Sequence, residues 1–193
     1  MTGLIFVLAY LLGAVPFGIV VARLFGLGDL RKIGSGNIGA TNVLRTGNRL
    51  AALLTLVLDV GKGAFAVLLA RLLIGEGAAM IAGLGAFLGH CFPVYLLFRG
   101  GKGVATFLGT ALALSWPVGL AVCVTWAVIA GLMRISSLAA LVAAALAPLY
   151  ALLGGQGALA GVLAGMAVLI FLRHHTNIRR LIRGEEPKIG AKG

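Results

Sequence analysis

From residue 3 to residue 172 the chain is a succession of apolar runs broken by short stretches of glycine, proline and charge. The runs cover residues 3–22, 50–74, 78–98, 104–133, 135–153 and 158–172. Most approach the roughly 20 residues with which a helix crosses a bilayer. Of the 193 residues, 61% are hydrophobic and 11% charged, where a soluble domain carries about half and about a quarter. A soluble core of this size cannot hide that much apolar surface, and a disordered chain would not contain it. The composition therefore predicts an all-α, polytopic integral membrane protein forming a single membrane-embedded domain over residues 1–193. Residues 1–22 lack a positive leading region and read as the first span rather than as a cleaved signal.

Charge sets the orientation. The chain carries 16 Lys and Arg against 5 Asp and Glu, a balance that in a soluble protein would suggest nucleic acid. No nucleic-acid partner is expected, because the basic residues fall at the ends of apolar runs. If residues 104–133, with Ser115-Trp116-Pro117 near the middle, form two short helices, there are about seven spans. One side then holds Arg23, Arg31, Lys32, Arg45, Arg49, Arg99, Lys102 and Arg134. The tail adds Arg173, Arg179, Arg180, Arg183, Lys188 and Lys192 to that side, leaving only Lys62 and Arg71 within spans. The positive-inside bias makes this side cytoplasmic, with the N-terminus outside and the C-terminus cytoplasmic. Two full crossings need about 40 residues and only 30 are available, so a re-entrant helix followed by one span is the other arrangement this stretch permits.

Three polar segments fall on the basic side. The first, Gly34-Ser-Gly-Asn-Ile-Gly-Ala-Thr-Asn-Val-Leu-Arg45, has glycines that free the backbone for conformations whose N–H groups converge on an anion. Ser35, Asn37, Thr41 and Asn42 add neutral polar groups, and Arg45 adds a fork suited to phosphate. A loop needing only solubility would carry Lys and Glu instead. The second, Arg99-Gly100-Gly101-Lys102-Gly103, leads into a helix N-terminus at Val104, where free N–H groups favour anions. It is not a Walker A loop, since Leu96 takes the first Gly position and Gly103 replaces the Ser or Thr that would hold magnesium. His90 lies upstream within the preceding span, a depth at which ionisable groups lean functional. The third is His174-His175-Thr176-Asn177-Ile178-Arg179-Arg180. If the last span continues as one helix, His174 and Asn177 share a face, as do Arg173 and Asn177.

Other features read as structural. Asp59 and Lys62 stand three residues apart on the second span, the spacing of an ion pair. Gly85 and Gly89, and Gly157, Gly161 and Gly165, repeat every four residues and so line helix faces suited to close packing in lipid. Cys91 and Cys123 sit in apolar runs as reduced packing thiols. No metal site is expected, because no carboxylate cluster is present to hold magnesium.

The stretches Ser35-Gly-Asn-Ile-Gly-Ala-Thr-Asn-Val-Leu-Arg45, Gly89-His-Cys-Phe-Pro-Val-Tyr-Leu-Leu-Phe-Arg-Gly-Gly-Lys-Gly-Val-Ala-Thr106 and His174-x-x-Asn177-Ile-x-Arg-Leu181-x-x-Gly184-x-Glu186 resemble the three motifs of the bacterial acyl-phosphate:glycerol-3-phosphate acyltransferase family, in order along nearly the whole chain. Asp59-Val-Gly-Lys62-Gly63 resembles a further family feature. The resemblance implies transfer of a fatty acyl group from acyl-phosphate to the 1-hydroxyl of glycerol 3-phosphate in the bacterial cytoplasmic membrane, with the site facing the cytoplasm. It implies no cofactor, and neither coenzyme A nor acyl carrier protein as donor. On this expectation Gly100, Gly101, Lys102 and Gly103 hold the acyl-phosphate. Ser35, Arg45, His174 and Asn177 orient glycerol 3-phosphate, Asn37 and Asn42 shape the first loop, and His90 supports Lys102. The competing class is a transporter or channel for a phosphorylated anion, which would use the same basic loops and glycine-rich helices. Such a protein is expected to show repeat symmetry, and no convincing internal repeat is seen.

Overall fold

The computed structural model describes residues 2–190; Lys192, assigned above to the basic tail, lies outside them. Among the described residues the regular elements are helices: α1 (Thr2–Ala14), α2 (Phe17–Leu24), α3 (Ala40–Leu44), α4 (Arg49–Leu73), α5 (Glu76–Cys91), α6 (Val104–Leu114), α7 (Trp116–Met133), α8 (Ser136–Leu153), α9 (Gly157–Arg173) and α10 (His175–Ile182), with short 3-10 turns at Leu30–Lys32 and Val94–Leu96. Five stretches are long and apolar enough to cross a membrane: Thr2–Leu24, Arg49–Leu73, Glu76–Leu96, Trp116–Met133 and Ser136–Leu153. A sixth is the bent pair of α9 and α10.

Local chemistry explains the breaks. Pro16, which has no N–H to give, separates α1 from α2 within one span. Asn48 caps α4 by accepting from Ala51 N at 2.9 Å. Arg134, at φ 56°, ends α7. Residues 104–133 do split in two at Ser115, but unevenly, into 11 residues of α6 and 18 of α7. At 1.5 Å per residue α6 is about 16 Å long, half of a bilayer core.

Glycine decides how closely the helices approach. A methyl at Gly13 would overlap Ala86 on α5, and one at Gly89 would overlap Tyr10 on α1, so α1 lies directly on α5. Gly63 and Gly109 do the same between α4 and α6, against Thr106 and Val60. In lipid, where burial of apolar surface drives nothing, such backbone proximity is what helix packing gains from. The Gly157, Gly161 and Gly165 stripe behaves differently: nothing lies within 4 Å of where their side chains would be. α9 packs through another face, with Leu159, Leu163, Met166 and Ile170 in a core shared with Phe87, Phe107 and Val122. Among the described residues no helix lies against this stripe.

Two polar devices hold the middle together. Lys62 Nζ lies 2.7 Å from Asp59 Oδ1 and donates to Val15 O at 2.9 Å, while His90 Nδ1 stands 3.6 Å from the same carboxylate oxygen. Thr106 Oγ1 donates to Asp59 O at 3.0 Å. This buried cluster joins the α1–α2 break, α4, α5 and α6. At the other end of α6, Arg71 donates to the carbonyls of Ala113 and Leu114 and pairs with Glu76 at 2.6 Å. A cation there satisfies the last carbonyls of the helix and complements its dipole. Alternate turns accordingly gather at opposite ends. Arg71, Glu76, Ser115 and Gln156 line one cavity of about 700 Å3. The segment before α4, the loop before α6, the α7–α8 turn and the α9–α10 break surround another, of about 510 Å3.

Candidate active site

The second cavity is built from the three segments singled out above. In the first, Gly34 and Gly36 take positive φ of 51° and 68°, and a side chain at Gly34 would press on Asn42 Oδ1 and Arg45. The tight turn brings Ser35 over the start of α3. Buried Asn42 is the hub: its Nδ2 donates to Leu30 O at 2.9 Å, and its Oδ1 accepts from Ser35 N at 3.1 Å and Arg45 Nη1 at 3.3 Å. Ser35 Oγ is 3.4 Å from the same oxygen. One amide thus fixes both the hydroxyl and the guanidinium, and Thr41 ties the segment to α8 through Ser136 at 3.1 Å.

The second segment is clamped from both sides. Gly101 N donates to His90 O at 3.0 Å, and Arg173 donates to Gly100 O at 2.7 Å and Gly101 O at 3.1 Å. The Arg173 guanidinium also lies 5.4 Å from the Phe92 ring centre. Gly100 has no room for a methyl beside His90 O and Pro93, nor Gly101 beside the His90 ring. Gly103, at φ 85°, faces Cys91 and Phe87 just as closely and opens α6. The first N–H groups of α6 have no intrahelical partner, so this half-length helix directs its positive end at the cavity. Lys102 stands beside it. Burial chiefly pushes its ammonium down to about 8; Glu186 opposes the shift, and Arg180, Arg45 and Arg173 reinforce it.

The third segment departs from expectation. The last span does not continue as one helix: it breaks at His174 and turns by 65° into α10. Arg173 consequently faces the glycine loop instead of sharing a face with Asn177. His174 and Asn177 both reach the cavity. His174 Nδ1 lies 2.7 Å from Ile170 O; a carbonyl only accepts, so Nδ1 carries the proton and Nε2 keeps its lone pair in the neutral ring. Asn177 Nδ2 donates to Glu186 Oε1 at 2.5 Å, while its Oδ1 is buried with no partner among the described residues. That is an open acceptor for a hydroxyl.

The cavity therefore brings together Ser35, Asn37, Asn42, Arg45, His90, Lys102, Gly103, His174 and Asn177. Gly100 and Gly101 do not line it; they pack on His90 and present their carbonyls to Arg173. The His90 ring contacts Asp59 and Gly101, the residue before Lys102. Glu186 is the member that residue chemistry had not singled out. Its carboxylate accepts from Ser137 Oγ at 2.7 Å and Arg180 Nε at 2.6 Å as well as from Asn177. A lone acid pair in a basic tail was the available signal. No group of His, Cys, Asp and Glu able to hold a metal occurs among the described residues. Beyond the polar end the walls turn apolar, with Leu53, Leu56, Val60, Leu108, Leu112 and Trp126. Leu53 and Leu56 are 55% and 39% exposed, so this side opens toward lipid.

The tightness at Gly101 gives a direct expectation. In Gly101→Ala the new methyl must displace the His90 ring or the loop, and a shift of about 1 Å in a positioned group costs up to ~100-fold in rate. The double variant with His90→Ala should lose less than the two losses combined, measured as kcat/KM. Additive losses would show that the methyl and the ring do not compete for the same space.

Comparison with known proteins leads to the same place. A family model described as glycerol-3-phosphate acyltransferase matches residues 3–184. A glycerol-3-phosphate acyltransferase of Jannaschia sp. (strain CCS1) is 69% identical over 188 residues, covering 97% of this chain and 93% of the relative. One from Cereibacter sphaeroides (strain ATCC 17025) is 66% identical over 186 residues, 96% of this chain and 89% of that one. The crystal structure of PlsY (YgiH), an integral membrane glycerol 3-phosphate acyltransferase in its glycerol 3-phosphate form, superposes with a TM-score of 0.92 at 38% identity, covering 98% of this chain and 96% of that chain. Its lysophosphatidic acid form gives 0.89 at 37% identity. The chain belongs to the glycerol-3-phosphate acyltransferase family.

Proposed function

We propose that this protein transfers a fatty acyl group from acyl-phosphate to the 1-hydroxyl of glycerol 3-phosphate, releasing lysophosphatidate and phosphate without coenzyme A or acyl carrier protein. One observation carries this reading: a single cavity has cations, glycine turns and open hydrogen-bond acceptors at one end and a lipid-facing apolar wall at the other. Two phosphorylated substrates, one of them bearing a long chain, call for such a site. Lys102 and the amides of Gly103 and the first turn of α6 take the phosphate of the donor and stabilise its departure. Ser35 and Arg45, held by Asn42, take the phosphate of the acceptor. Asn177 Oδ1 accepts from a glycerol hydroxyl, Asn37 shapes the first loop, and Gly100, Gly101 and His90 set the loop that carries Lys102.

Acyl-phosphate is an activated mixed anhydride, so positioning and charge neutralisation supply much of the acceleration. The glycerol oxygen attacks the acyl carbon, the bond to phosphate oxygen breaks with its electron pair, and His174 Nε2 takes the hydroxyl proton. Ser35 Oγ faces Asn42 rather than a base, which favours direct transfer over an acyl-Ser35 intermediate. The purified protein in detergent should release phosphate only when given both substrates, and labelled donor alone should leave no covalent label. No release, together with uptake of a phosphorylated anion into vesicles, would replace the enzyme by a transporter. Label lost in Ser35→Ala would replace direct transfer by a covalent route.

The same reading places the whole chain as one domain in the bacterial cytoplasmic membrane, with seven crossings, the N-terminus outside and the C-terminus and site cytoplasmic. Alternation of the turns between the two ends supports it. α6 completes its crossing because the loop before it dips inward: α6 begins beside Asp59, partway along α4, and ends at Arg71 near the far end of α4.

A further inference from the structure

Leu112 stands where two cavities meet. Among the described residues it is the one that lines both the active-site cavity and the cavity of about 700 Å3 at the opposite end. The stripe along α4 runs through both: Leu53, Leu56 and Val60 line the first cavity, and Ala64 and Leu68 the second. Steps of three and four residues keep these on one helix face, and from Leu53 to Leu68 they span about 22 Å. On α6 the wall formed by Val104, Ala105 and Leu108 leads up to Leu112. The far cavity carries satisfied polar pairs, Arg71 with Glu76 at 2.6 Å and Gln156 with Ser115 at 3.0 Å. An alkyl group could offer these partners no replacement hydrogen bond.

The geometry points to Leu112 as the residue that measures the acyl chain of the donor. A chain whose phosphate sits at Lys102 runs along α4 and α6 and meets Leu112 before it can enter the outer cavity. Shorter chains end on the near side, and longer ones that follow the groove meet the Leu112 side chain. The gate cannot slide away. A methyl on Gly119 of α7 would overlap the Leu112 Cα and amide nitrogen, so α7 holds this backbone directly. With that backbone held, the size of the side chain at position 112 sets the passage from one cavity to the other. This inference rests on the acyl-phosphate reading above.

The test compares decanoyl-, dodecanoyl-, hexadecanoyl- and octadecanoyl-phosphate as donors for the purified full chain, with phosphate release as the readout. In Leu112→Trp, and more mildly in Leu112→Phe, the ratio of long-chain to decanoyl kcat/KM should fall by about tenfold or more, the discrimination one altered pocket wall supplies. In Leu112→Ala the ratio should rise. Decanoyl-phosphate turnover keeps a misfolded variant distinguishable from a selective one. Equal ratios in the wild type and Leu112→Ala, or a loss in Leu112→Trp that is uniform across chain lengths, overturn the inference. Absence of turnover by the wild type with every donor would instead remove the acyl-phosphate reading on which it stands.

Discussion

Replacing Lys102 by Ala should lower kcat/KM for acyl-phosphate by on the order of 100- to 1,000-fold, the usual loss when one group stabilising developing charge is removed from a water-poor site. The charge leaves with phosphate, and Lys102 is the cation beside the N-terminus of α6. Arg45→Ala should act differently, raising KM for glycerol 3-phosphate more than it affects the donor. Burial supplies a second signature for Lys102. An ammonium pushed down to about 8 is charged below that pH and neutral above it. Since kcat/KM reports groups of the free enzyme, it should fall as pH rises through about 8. A guanidinium stays charged far beyond that range, so in Lys102→Arg the alkaline limb should vanish even if the rate is lower throughout. A limb of unchanged position in Lys102→Arg would assign it to another group, and equal negligible losses in Lys102→Ala and Arg45→Ala would remove both assignments.

Some of this was visible in the chain and some was not, for physical reasons that differ by residue. The apolar runs, the glycine turns before α3 and α6 and the cations beside them are local patterns, and short-range sterics and hydropathy suffice to read them. The break at His174 is not local: nothing in Leu172-Arg173-His174-His175 forbids continued helix, and the turn of 65° is accompanied by contacts that Arg173 makes with carbonyls some 70 residues earlier. Gly100 and Gly101 carried the right residue type and a different reason for it. Their lack of side chains admits His90 and Pro93, whereas the sequence offered only the picture of amides around phosphate. The Gly157 stripe has the spacing of a packing face, yet spacing cannot say whether a helix lies opposite. In each case periodicity identifies a surface and tertiary structure decides what meets it.

Glu186 shows what a residue outside the reacting groups contributes to such a site. Burial works against its carboxylate, but hydrogen bonds from Arg180, Asn177 and Ser137 and the charge of Arg180 together hold it below the usual carboxylate range. These partners join α8, α10 and the tail, and they leave Asn177 with one amide end anchored and the other free. Glu186→Ala strands three donors, two of them on groups facing the cavity. It should cost roughly 2–4 kcal/mol, reduced from the value for a fully buried pair because Arg180 is a third exposed. At about 2–4 °C per kcal/mol, the thermal midpoint in detergent should fall by on the order of 5–10 °C. Glu186→Gln keeps an acceptor for Asn177 and should fall between the two. A carboxyl held below its unfolded value contributes stability above that value and loses it as pH falls through the folded one. The wild-type midpoint should therefore drop toward that of Glu186→Gln on acidification below about pH 4.5. If the two midpoints stay equally far apart from neutral to acidic pH, the ion pair does not stabilise the fold. If Glu186→Ala instead melts like the wild type while losing activity, the carboxylate serves Asn177 and not the packing of α10 on α8.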